Sequence, residues 1–194
     1  MYSEIDNYVA KCVTLTVKEQ DLFHSCLKSR KLKKKGFLLQ SGEVCDFEAY
    51  VVKGCLRVYF IDENGFEVDL FFAVEDWWVS DITSFNHGKP SDLFIQALED
   101  SEVLTISSSD KEKLFESIPK FERMFRLMIQ RGYENIIRRL ISTMSKPAED
   151  RYLDFIKRYP GIPQRVPQHL IAAYLGISPE FLSKIRKKLA KRKA

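Results

Sequence analysis

The chain has 194 residues, 45% of them hydrophobic and 30% charged, with a formal net charge of +4. This balance excludes a disordered polymer, and the length allows one full domain plus a small one. The longest apolar runs, within residues 69–74 and 94–98, are far too short to span a bilayer. The opening residues Met1–Asp6 carry neither a basic region nor an apolar core for secretion, so a cytoplasmic location is expected.

The charge is unevenly placed. Residues 146–194 hold twelve Lys or Arg against four Asp or Glu, whereas residues 1–145 are net −4. A compact basic segment on a mildly acidic body is the footprint of a nucleic-acid binder, although a solvated tail has the same composition. The cysteines Cys12, Cys26, Cys45 and Cys55 are too far apart for a zinc knuckle or a redox pair, and read as small buried apolar residues. His24, His87 and His169 give no metal spacing. There is no glycine-rich phosphate loop and no nucleophile–base pattern. No catalytic residues, metal or cofactor are expected, and the chain does not read as an enzyme.

In chain order, residues 5–28 carry a helical period, with Thr16 and Glu19 spaced as a capping box for the second of two short helices. From Lys31 to Ser107 the period changes. Runs rich in Val, Phe, Tyr, Leu and Ile recur at 37–39, 49–52, 56–61, 67–72, 93–98 and 102–106, separated by turn signals. Asn64-Gly65 predicts a hairpin turn, because both residues tolerate positive φ. Many short strands at this spacing predict a β-sandwich or jelly roll. The basic run Arg30–Lys35 alternates into a strand and reads as a solvated edge. The pair Trp77-Trp78 reads as core.

After Ser109 the 3.6-residue period returns. A short helix near 110–117 precedes Pro119, which suits the first turn of a long helix from about Lys120 to Ser145. Phe121, Met124, Phe125, Met128, Ile129, Ile136, Ile137, Leu140, Ile141 and Met144 make a stripe wide enough for two partners. The β domain and the same helix of a second copy would satisfy it; packing on its own domain alone is the alternative. Gly132 costs about 1 kcal/mol of helix propensity relative to Ala, which a close helix crossing would explain. Lys146-Pro147 breaks this helix, residues 148–159 form the next, and Pro160–Pro163 end it.

Residues 168–187 read QHLIAAYLGISPEFLSKIRK. Ala172 supplies the small residue at which two helices cross, and Gly176 a residue comfortable at positive φ in the turn. Leu175, Ile177, Leu182 and Ile185 fall on the inner face. Ser178, Pro179 and Glu180 supply an N-cap, a first-turn proline and a first-turn acid. Together these features predict a helix-turn-helix, with an unrelated helical hairpin as the alternative. Its second helix would turn Pro179, Glu180, Ser183 and Lys184 toward base edges: Glu180 could accept from cytosine N4, Lys184 could donate to guanine O6 or N7. Gln168, His169, Arg186, Lys187, Lys188, Lys191 and Arg192 are placed for phosphates.

With these elements the whole chain, from about residue 5 to 190, resembles the Crp–Fnr family of bacterial regulators. The resemblance is carried by residues 52–59 (VKGCLRVY), 97–104 (ALEDSEVL), 149–152 (EDRY) and 171–180 (IAAYLGISPE). It implies an α+β architecture. Residues 1–118 would form a cyclic-nucleotide-binding-like jelly roll, 119–145 a long dimerisation helix, and 146–194 an all-α helix-turn-helix domain. It implies double-stranded DNA, a second copy of the chain and RNA polymerase as partners, and no membrane. Glu180 and Lys184 match positions at which the family contacts bases. Pro179 stands where many members have Arg, which implies a different target, and little sequence remains after the recognition helix for a β-hairpin wing.

The effector is where the chain departs from the pattern. Cyclic-nucleotide binders of this family carry a Gly-Glu pair and, about ten residues later, an Arg followed by Ser or Thr. Alignment puts Val79-Ser80 and Ser91-Asp92 at those places. The phosphate-pairing cation is missing, Asp92 would repel an anion, and Lys89 could substitute only as a point charge. Ser80, Asp81, Lys89, Ser91 and Asp92 are the candidate effector residues, for an unknown small molecule other than cyclic AMP. A barrel filled by side chains such as Trp77 and Phe94 is the other expectation. The overall reading is a homodimeric DNA-binding transcription regulator. The alternative is a cyclic-nucleotide or other small-molecule-binding module whose helical tail mediates protein contacts.

Overall fold

The computed structural model describes residues 2–193. Two short helices, α1 (Ser3–Ala10) and α2 (Val17–Ser25), precede a β domain. The capping box at the start of α2 is present: the Glu19 amide donates to Thr16 Oγ1, and the Thr16 amide donates to the Glu19 carboxylate at 2.7 Å. The β domain comprises β1 (Lys28–Leu32), β2 (Phe37–Leu39), β3 (Phe47–Lys53), β4 (Leu56–Ile61), β5 (Glu67–Ala73), β6 (Trp78–Val79), β7 (Phe94–Ala97) and β8 (Ser101–Ser107), with a one-and-a-half-turn helix α3 (Ile82–His87) between β6 and β7.

These strands form two antiparallel four-stranded sheets, ordered β1-β8-β3-β6 and β2-β7-β4-β5. That interleaving of sequence across two sheets is the jelly roll the strand spacing predicted. Inward residues, among them Phe47, Ala49, Val51, Leu56, Val58, Ile95 and Val103, fill the space between the sheets. The barrel interior is therefore packed with apolar side chains, most of them aliphatic. Phe94 is not among them; it lies on the outer face, stacked on Tyr59 with ring centroids 4.9 Å apart. Trp77 packs partly against this core and meets Tyr159 edge-on. The basic run contributes β1, an edge strand exposed along its length except at Leu32.

The hairpin between β4 and β5 differs from the two-residue turn that Asn64-Gly65 predicts. Only Gly65 is left-handed, at φ +82°. Asp62 closes the loop instead: its carboxylate accepts from the Asn64 and Phe66 amides, and its own amide donates to Phe66 O. A longer loop ending in a left-handed glycine lets the strands keep their twist. The strand β6 and helix α3 lack a sequence period because each is too short to repeat one.

Beyond the barrel, α4 (Ser108–Ser117) and the 26-residue α5 (Lys120–Ser145) follow. The first turns of α5 bury Phe121, Met124 and Phe125 with α1, α2 and the outer face of β3 and β8, in a second core. The remaining stripe has no partner among the described residues: Ile129, Tyr133, Ile136, Leu140, Ile141 and Met144 are exposed. Among the described residues nothing outside its own helix lies within 4 Å of a Cβ placed at Gly132, so they make no close crossing there. Lys146, before Pro147, is extended and stops the helix. The last unit is α6 (Ala148–Arg158), the one-turn α7 (Ile162–Arg165), α8 (Gln168–Leu175) and α9 (Pro179–Lys193). Its core of Tyr152, Phe155, Leu170, Ile171, Ala172, Leu182 and Ile185 is continuous with Cys55 and Phe72 of the barrel's outer face. No helix among the described residues is long and apolar enough to cross a membrane.

Candidate nucleic-acid interface

The α8–α9 pair has the local geometry its sequence encodes. Gly176 is left-handed, at φ +64° and ψ +41°. Its amide donates to Ala173 O at 3.1 Å, and the Ile177 amide donates to Ala172 O at 3.0 Å, so the free carbonyls at the end of α8 are satisfied. Ala172 is fully buried at the crossing, with Leu175, Leu182 and Ile185 around it. Ser178 Oγ accepts from the Phe181 amide at 3.2 Å and so caps α9.

The opposite face of α9 is solvent-exposed at Pro179, Glu180, Ser183, Lys184, Arg186, Lys187 and Lys188, and His169 is exposed at the start of α8. The backbone and the Ser178 hydroxyl hold the Glu180 carboxyl below its usual range, so it is an acceptor at neutral pH. Gln168 is half-buried, and its side-chain oxygen has no partner among the described residues. Lys188 and Arg192 are already engaged: Glu149 accepts from them at 2.5 and 2.6 Å, tying α9 back to α6. The exposed cations on α9 with no carboxylate within 4 Å, among the described residues, include Lys184, Arg186 and Lys187.

Of the candidate effector residues only Asp81 and Ser91 bond to each other; the rest bond to neighbouring residues or are exposed. Asp81 caps α3, accepting from the Thr83 and Ser84 amides at 3.0 and 3.2 Å. Ser91 donates to the other Asp81 oxygen at 2.6 Å. Ser80 donates to Phe47 O, and Lys89 O accepts from Ser84. The Lys89 and Asp92 side chains are exposed.

Residues that dock the helical unit on the barrel carried no sequence signal. Arg139 of α5 donates to Asp69 O at 3.0 Å, to Tyr174 O at 2.7 Å and also to Leu70 O. One cation thus joins the long helix, β5 and the end of α8. Arg165 of α7 pairs with Glu75 and Glu99 of the barrel. Both arginines sit in segments where a charge is ordinarily solvated, and only the approach of the barrel gives them partners. The described residues contain no cluster of His, Cys, Asp or Glu suited to a metal ion, and three of the four cysteines are buried.

Residues 29–117 match the family described as the cyclic nucleotide-binding domain. No curated protein sequence matches the chain. Solved structures with the same fold include FixK2 from Bradyrhizobium japonicum, with a TM-score of 0.75 and 17% identity over 86% of each chain. CLP from Xanthomonas campestris, described as a c-di-GMP responsive global regulator, superposes with a TM-score of 0.74 and 16% identity over 92% of this chain and 93% of its own. A transcriptional regulator of the Crp/Fnr family from Eubacterium rectale gives 0.71 and 15% over 92% and 85%. The chain is thus similar at residues 29–117 to the cyclic nucleotide-binding domain family and shares, over nearly its whole length, the fold of solved Crp–Fnr regulators.

Proposed function

We propose that the protein is a homodimeric, non-enzymatic transcription regulator that reads duplex DNA with α9 and works in the cytoplasm. The observation that carries this is the outward face of α9. Glu180, Ser183 and Lys184 stand exposed on a helix fixed from behind by Leu182 and Ile185. Such a helix fits the major groove, with Glu180 and Lys184 as base readers and Arg186, Lys187 and His169 as phosphate contacts. The unpartnered stripe on α5 supports pairing with a second copy, which would set two recognition helices on a near-palindromic site with half-sites about one helical turn apart. On this reading the sensor ends near residue 118 and the DNA-binding domain begins near residue 146, with RNA polymerase a further partner.

The Asp81–Ser91 bond supports the reading that any effector is not cyclic AMP. Where a phosphate would need a cation, a buried carboxylate is hydrogen-bonded to the aligned serine, and burying an anion beside it is costly. A cyclic AMP thermal shift of several degrees would contradict this.

The test is binding to random-sequence duplex DNA across salt concentrations, followed by selection of preferred sites. Log affinity should fall steeply with log salt, and the selected sequences should be two-fold symmetric. Affinity that is flat in salt would point to a helical tail that contacts protein and would overturn the reading.

A further inference from the structure

A cavity of about 500 Å³ opens where α5, α6 and α8 meet, on the helical side of the molecule and apart from the jelly-roll interior. Its walls carry six cations, Arg138, Arg139, Lys146, Arg151, Lys157 and Arg158, against one carboxylate, Asp154. That carboxylate is already taken by Lys146 at 2.6 Å. Arg138, Arg151, Lys157 and Arg158 have no carboxylate within 4 Å among the described residues. Arg151 Nε is buried and has no hydrogen-bond partner among the described residues. A buried, unpaired guanidinium donor costs free energy unless an acceptor reaches it, and four unpaired cations around one hollow repel one another. The remaining wall includes the half-buried rings of Tyr159 and Tyr174, against which a planar ring can pack.

From this we infer that the cavity is a binding site for a nucleotide bearing two or more phosphates, its phosphates held by Arg138, Arg151 and Arg158 and its base placed against the tyrosines. The volume lies in the range of small-ligand sites. Forked guanidiniums pair with phosphate oxygens two bonds at a time, which favours them over lysines at such a site. A ligand there would touch both the long helix and the end of α8, so its occupancy would bias the position of the helix-turn-helix relative to α5. The binding claim stands apart from the DNA-reading proposal; only the coupling depends on it.

The experiment is isothermal titration of the full chain, at about 0.15 M salt, with ATP, pyrophosphate and adenosine. Saturable binding of ATP, weaker binding of pyrophosphate and none of adenosine is the expected order. The variant Arg138→Gln/Arg158→Gln, both exposed and so tolerant of substitution, should lose at least tenfold in ATP affinity. Arg151→Gln should do the same while keeping the wild-type circular dichroism. Lys31→Gln/Lys34→Gln, on the edge strand β1 and in the turn that follows it, should leave ATP affinity unchanged. Absence of saturable ATP binding, equal affinity in wild type and the double arginine variant, or equal loss in the edge-strand variant would each overturn the site. So would complete displacement of ATP by short duplex DNA, which would make these cations part of the DNA-facing surface.

Discussion

Arg165 grips Glu75 with both guanidinium arms: Nη1 donates to Oε2 at 2.7 Å and Nη2 to Oε1 at 2.9 Å, across ninety positions of sequence. Nη2 also reaches Glu99 at 2.5 Å, and Glu75 in turn accepts from the Gly54 amide at 2.8 Å. This two-pronged pair is the main ionic tie between α7 and the barrel. Arg165→Ala should cost about 1 kcal/mol of stability, less than a buried charged pair would, because the side chain is partly exposed to solvent. The more telling effect is local. Hydrogen exchange of α7 and the loop before α8 should quicken while that of β3 and β8 is unchanged.

Asp69 is fully buried; among the described residues neither of its carboxylate oxygens has a hydrogen-bond donor, and Arg57 stands 3.9 Å off. Burial pushes its carboxyl up to about 7; Arg57 and Arg139 oppose the shift and Glu67 reinforces it. The folded protein then keeps a proton that the unfolded chain releases near its ordinary value of 3.8. The contribution is fully present below about pH 4 and is lost as the pH rises toward 7. Asp69→Asn should flatten this slope and, at pH 8, stabilise the protein by on the order of 2–4 kcal/mol relative to wild type. Glu19 acts in the opposite direction. Held at about 2 chiefly by Lys120, it favours the fold above its ordinary 4.5, and that gain is lost as the pH falls toward 2. Urea titrations of both carboxamide variants from pH 3 to 8 measure the two slopes.

Two left-handed glycines should respond unequally to alanine. At Gly54, φ is +106° and an added Cβ would lie 2.1 Å from Ser101 Oγ and 2.7 Å from Ser101 Cα. Strain and overpacking act together there, so Gly54→Ala should cost about 3 kcal/mol. At Gly176 the space around a Cβ is open, leaving the left-handed conformation alone to penalise Gly176→Ala by about 1 kcal/mol. Equal losses in denaturant midpoint would show that the Ser101 contact yields.

Leu140 is half exposed and Met144 is 80% exposed on the same face of α5. Leu140→Glu should therefore leave the fold intact and shift sedimentation from dimer to monomer, since a charge in an apolar helix pair has no partner. A dimer that survives this change would place the pairing surface elsewhere.

Glu180→Ala should relax sequence preference at one base position, at about 1–3 kcal/mol of discrimination, with little change in salt dependence. Lys187→Ala should instead weaken binding to all sequences alike and lower the salt slope by about 1. Competition binding with the selected site and its single-base variants separates the two.

Where local chemistry suffices, the sequence alone determined the structure. Gly176, Ser178 and Pro179 each meet a need of the residues next to them, so the turn and cap between α8 and α9 were legible, as was the Thr16–Glu19 box. The β4 strand and the whole span of α5 followed from periods long enough to repeat. Pairings set by the meeting of distant surfaces were not legible: Arg165 with Glu75, Asp81 with Ser91, the burial of Asp69 and the gathering of Arg138, Arg151 and Arg158. Side chains of this kind look alike in sequence whether solvated or buried. Their partners depend on how the sheets and helices come to rest, and those distances exist only once the cores have packed.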